Sequence, residues 1–200
     1  MIHPNIYRIC ASACGIISGI PLDILQTNIV SEEKVTFKLN ELKLIFLTTI
    51  IFTSQNIVFE YTRFIPNKSI RGLLSGVTVS PIYILLESSK IKNRLGLYPI
   101  YKNIIFWLTF RQILFYITLY NLLYINVRYS KILSPLFANF LGFPLKIIAL
   151  KKSYPIINYS TNKIKNIAAI EIVKSSFSDC ICLYLIYNAP FSPLKINNKQ

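Results

Sequence analysis

Two signals recur in this 200-residue chain at a period near 60, and they alternate along it. Apolar segments rich in small residues carry a proline at Pro21, Pro81 and Pro144, so the prolines stand at intervals of 60 and 63. An aromatic residue stands four before a base at Phe59–Arg63, Tyr124–Arg128 and Phe191–Lys195, at intervals of 65 and 67. A period of this length, held three times, implies three copies of one unit, and such a repeat constrains the architecture before any single residue does. The units fall at 1–66, 67–129 and 130–200 and are expected to build one domain together.

Each unit has room for two membrane-crossing helices. Apolar segments lie at roughly 9–29, 43–63, 70–89, 103–126, 132–150 and 167–190. All are close to the ~20 residues that span a bilayer as a helix. Inside hydrocarbon every backbone N–H and C=O must find a partner within the chain, which favours helices. Composition agrees: hydrophobic residues make up 53%, charged residues 15%, and the mean hydropathy is +0.48. A soluble domain carries about 25% charged residues. The expected fold is an all-α membrane protein with six transmembrane helices in three two-helix repeats. The connections at 30–42, 64–69, 90–102, 127–131 and 151–166 alternate long and short, and six spans leave both termini on one side. Basic residues occupy both kinds of connection, so charge does not orient the bundle.

The net charge is +14, from 22 Lys and Arg against 8 Asp and Glu. An excess of this sign suits anionic lipid headgroups or an anionic solute. The bases are scattered between apolar runs instead of striped along one face, so no nucleic-acid partner is expected. Cys10, Cys14, Cys180 and Cys182 have no zinc-ligand spacing and read as small apolar helix residues; the one histidine is His3. No metal or cofactor is expected. The sequence holds no glycine-rich phosphate loop, histidine pair or nucleophile motif, so no enzymatic activity is expected either. Residues 1–8 are too short and polar for a cleaved secretory signal, so any organellar address is expected to be internal.

The odd-numbered segments share a second device. The first reads Gly15-x3-Gly19-x-Pro21-x-Asp23, the fifth Ala138-x3-Gly142-x-Pro144-x-Lys146, and the third Gly72-x3-Gly76 with Pro81-x-Tyr83 further on. Small residues four apart let helices approach closely in lipid. A proline within a helix removes one backbone hydrogen bond and bends the helix, so Pro21, Pro81 and Pro144 are expected kinks. The chain therefore resembles the mitochondrial carrier family, whose odd helices carry P-x-[DE]-x-x-[KR] and whose even helices end in [FY]-[DE]-x-x-[RK]. PLDILQ at 21–26 is the best match to the first motif, and FEYTR at 59–63 matches the second in full. PIYILL at 81–86 and PLKIIA at 144–149 lack the acid and base positions, and YINVR at 124–128 and FSPLK at 191–195 lack the acid. The repeats are also shorter than the family's, and the missing length falls in the long loops.

The resemblance implies a carrier-like barrel with reduced matrix-side loops around a water-filled central site. It would transport a small anionic metabolite, nucleotide or carboxylate, by alternating access across the inner membrane of a mitochondrion or a derivative of one. It would act as a monomer among anionic lipids. An inner gate network would use Asp23 with Lys146, supported by Gln26 and Tyr83, and an outer one Glu60 with Arg128 or Lys195, beside Arg63. Asp23 also reads as a residue near a helix end facing water, and the aromatic–base pairs as interfacial anchors. Arg111 precedes Tyr124, and Asp179 precedes Phe191, by nearly the same stretch of helix. At ~1.5 Å per residue that stretch places both near the bilayer middle. Charges there mark function when they face a cavity. Arg111, Gln112 and Asp179 are the candidate solute contacts, and a structural pairing of Arg111 with Asp179 is the other reading. A carrier-derived scaffold, receptor or insertion factor that no longer transports is the alternative function.

Overall fold

The computed structural model describes residues 4–31, 45–46, 48–50, 53–54, 57–58, 61–123, 125, 130–157 and 159–188. Among the described residues, five long helices carry the fold: α1 (Pro4–Ser31), α2 (Lys68–Leu95), α3 (Tyr101–Leu123), α4 (Ser130–Ser153) and α5 (Thr161–Asn188). The described residues between 45 and 61 are helical too, ending in a 3-10 turn at Thr62–Phe64. No strand occurs among the described residues.

Local chemistry sets the ends of α2. Asn67 caps its start, its side-chain oxygen accepting from the Ser69 and Ile70 amides. At the other end Gly96 takes a left-handed conformation (φ 67°) and its N–H closes on the Lys92 carbonyl. Lys92 and Arg94 occupy the last turn, where cations suit the helix dipole. The helix thus runs past the segment expected at 70–89 and absorbs much of the connection expected at 90–102. α5 likewise begins at Thr161, with the Ser160 carbonyl accepting from Ile164, so the connection expected at 151–166 shrinks to a short turn.

Neighbours in sequence are neighbours in space: α2 packs on α3, α3 on α4, α4 on α5, and α5 on α1. The first and last of these helices thus meet. The small residues work as their spacing predicts. A Cβ added at Gly72 would lie 2.5 Å from Ile117 Cα, and one at Gly76 2.5 Å from Ile113 Cα. Gly19 similarly faces Ser178 on α5. Gly76→Val is therefore expected to push α2 off α3 and to destabilise by at least the ~1–3 kcal/mol typical of overpacking, readable as a lower melting temperature in detergent.

Pro21, Pro81 and Pro144 lie inside continuous helices, on their exposed faces. Pro81 leaves the Val77 carbonyl without its usual backbone donor, and the Ser80 hydroxyl supplies one at 2.9 Å.

Large apolar side chains lie on the outside as well as in the core, and several charges lie inside. Ile17, Leu85, Phe106, Phe140 and Phe177, one on each helix, are all more than half exposed, while Glu87, Arg111, Lys146 and Glu171 are buried. Among the described residues, three stretches are long and apolar enough to cross a membrane: Ile9–Ile29, Lys68–Leu95 and Leu133–Ser153. An apolar exterior with charges held inside suits lipid as the surrounding solvent.

Candidate functional site: a ring of alternating charges

Buried and half-buried charges gather toward the ends of α1, α2 and α4 and the start of α5. Six of them close a ring in which each base touches two acids. Lys90 Nζ lies 3.3 Å from Asp23 Oδ1 and 3.6 Å from Glu87 Oε1. Lys146 Nζ lies 3.3 Å from Glu87 Oε2 and 2.5 Å from Glu171 Oε1. Lys174 Nζ lies 2.7 Å from Glu171 Oε2 and 2.8 Å from Asp23 Oδ1. The order around the ring is Asp23, Lys90, Glu87, Lys146, Glu171, Lys174.

Four helices build this ring unequally. α1 contributes Asp23 and α4 contributes Lys146, each just past its proline, whereas α2 contributes Glu87 and Lys90 and α5 contributes Glu171 and Lys174. The two pairs share one spacing, Glu-x-x-Lys, which puts acid and base on one helix face. Arg94 adds a seventh charge, donating to Asp23 Oδ2 at 2.8 Å and to Thr27 Oγ1 at 2.6 Å. Gln26 Oε1 accepts from Lys174 at 3.1 Å. A cavity of about 50 Å³ adjoins the ring, lined in part by Gln26, Thr27, Arg94 and Tyr159. Beyond the helix end, burial pushes the phenols of Tyr154 and Tyr159 well above their ordinary range, so both stay neutral.

This geometry corrects one expected pairing. Asp23 and Lys146 belong to the same network, but Lys174 and Glu171 stand between them. Both residues point to the bundle centre from helices separated by α5, and α5 fills that gap with a charge pair of its own. Tyr83, expected to support this gate, instead lies under Arg111, whose guanidinium carbon sits 4.9 Å from the ring centroid.

The level of Arg111 also differs from expectation. In place of a water-filled site, Arg111 and Gln112 are packed, at 5% and 1% exposure. Arg111 Nη2 donates to Asn139 Oδ1 at 3.0 Å, and its guanidinium carbon lies 5.3 Å from the centroid of Phe115. Gly142 makes the room: a Cβ there would come within 3.3 Å of Arg111 Nε. The side chain of Asp179 lies outside the described residues, as do Glu60, Arg128, Lys195 and the side chain of Arg63.

Asp23, Gln26 and Lys146 are the members of this network that the sequence reveals; Glu87, Lys90, Glu171 and Lys174 are those it conceals. The repeated Glu-x-x-Lys at 87–90 and 171–174 is the one signal that could have found them. Fold and site together define a helical protein of membrane character whose helices are joined by a network of ion pairs. Compared with known proteins, the chain matches no family, no curated protein and no solved structure.

Proposed function

We propose that the protein is a membrane transporter for a small anionic metabolite, a carboxylate or nucleotide, working by alternating access across a mitochondrial-type inner membrane. All six segments would span that membrane, in three two-helix repeats. The observation that carries this reading is the charge ring. Ion pairs desolvated at one end of a bundle hold it shut, and the same pairs weaken sharply once water enters, which gives a gate with two stable positions. Opening would break the contacts between helices and keep the Glu87–Lys90 and Glu171–Lys174 pairs within theirs, so four of the six charges stay compensated. The resemblance of the three proline segments to mitochondrial carriers supports the same reading. Arg111 at mid-helix would bind the anion, since guanidinium matches carboxylate and phosphate oxygens in pairs.

The packing of Arg111 against Asn139, Tyr83 and Gly142 favours a second reading, a carrier-derived scaffold that no longer transports. Uptake assays separate the two. Purified protein in liposomes is expected to accumulate labelled malonate, inorganic phosphate or ADP above protein-free vesicles. A properly folded protein that takes up none of them would leave the scaffold reading.

A further inference from the structure

We infer that Tyr83 couples Arg111 to the charge ring, so that what happens to the guanidinium at mid-helix is felt at the Glu87–Lys146 contact. The inference rests on the gate of the transport reading and names the residue of α2 through which that gate is set.

Three observations carry it. First, the ring of Tyr83 lies against Arg111: the guanidinium carbon sits 4.9 Å from its centroid. Phe115 offers the guanidinium a second face at 5.3 Å, but Phe115 is on Arg111's own helix and moves with it. Of these two rings, Tyr83 is the one that carries a displacement to another helix. Second, Tyr83 stands one turn before Glu87 on α2 and is buried like it, at 9% and 6% exposure. Residues four apart share a helix face, so Tyr83 lies directly behind a ring acid. Third, the same side chain belongs to a core cluster with Ala149 and Leu150 of α4, one turn past Lys146. Its phenol lies within electrostatic reach of Arg111, Glu87, Lys146 and Glu171. One side chain thus meets the mid-helix charge and borders the two helices that Lys146 and Glu87 join at 3.3 Å.

A desolvated cation over an aromatic face is a strong contact. A close-packed interior transmits the movement of such a group instead of absorbing it. With Arg111 against it, Tyr83 is held in place and steadies the end of α2 where Glu87 meets Lys146. A guanidinium turned to a carboxylate or phosphate withdraws that support, and the Glu87–Lys146 contact weakens. The ring is the two-state element that both sites bias. Other contacts of Arg111, Asn139 among them, set how firmly the guanidinium sits; they leave its stacking on Tyr83 unchanged. Tyr83 acts through Arg111 and Glu87 and is a positioning residue.

The test is the rate at which a membrane-impermeant maleimide, added at the ring end, labels Ser80→Cys in the full chain with its native cysteines replaced by serine. Rates are compared within three backgrounds: Tyr83, Tyr83→Phe and Tyr83→Leu, with Tyr83→Met in place of the last if Tyr83→Leu does not fold. Arg111→Gln is expected to accelerate labelling about tenfold with Tyr83, the order of a desolvated cation–π contact. Tyr83→Phe keeps the aromatic face and should keep that factor, whereas with Tyr83→Leu the rate should change by about twofold at most. Saturating malonate should show the same dependence on residue 83. An equal acceleration by Arg111→Gln in every background, as a direct charge effect of Arg111 on the ring would give, overturns the inference and leaves the gate standing. No acceleration with Tyr83, while Lys146→Ala still accelerates labelling, does the same. If Lys146→Ala has no effect either, the gate falls and the inference with it. Malonate without effect, alongside the expected Arg111→Gln pattern, supports the coupling and counts against malonate as a solute.

Discussion

Lys146→Ala is expected to destabilise the protein by about 3–5 kcal/mol, the cost of breaking a buried ion pair from one side. Lys146 is 3% exposed and is the base that joins Glu87 on α2 to Glu171 on α5. Without it the two carboxylates face one another across the gap, each still beside the lysine on its own helix. A second effect follows from the same geometry: α4 loses its charged link to the ring, so the closed end should loosen as well as destabilise. Lys146→Arg keeps the charge and should recover most of the loss. Thermal unfolding in detergent reads both variants against the native chain.

Arg111→Ala is expected to reduce anion uptake into liposomes by about 10- to 100-fold, corresponding to the ~1.5–3 kcal/mol of a hydrogen bond to a charged group. Arg111→Lys should recover part of the uptake, since it keeps the charge and loses the paired N–H geometry. If Arg111→Ala transports at the native rate, the solute contact lies elsewhere.

The backbone devices are the legible part of the sequence. Gly72 and Gly76 read as a close-packing stripe, and α3 does lie against them at a distance no other residue type allows. Such a device acts through the local chain and leaves a local pattern. The charge ring is only half legible for the opposite reason. Asp23 and Lys146 follow prolines that repeat and so stand out. Glu87 and Lys90 sit at the end of a helix whose last turns read as a basic loop, because nothing local shows that lysines there will be buried. Glu171 and Lys174 lie on α5, where the pattern of repeats calls for no charge pair. Long-range pairing decides those positions. The packing of Arg111 is hidden for a related reason: Asn139 and Gly142 supply its bed from a different helix, α4.

That the ring is a gate is tested most directly by access to the residue behind it. Ser80 is 3% exposed, on the same face of α2 as Glu87 and two turns deeper into the bundle. Ser80→Cys, in a chain whose four native cysteines are replaced by serine, places a thiol there with little change in size. With the ring intact this thiol should resist a membrane-impermeant maleimide added at the ring end. With Lys146→Ala, labelling from that end should accelerate at least about tenfold, the factor given by ~1.4 kcal/mol of released closure. Equal labelling rates in the two proteins, both well folded, would contradict a gate.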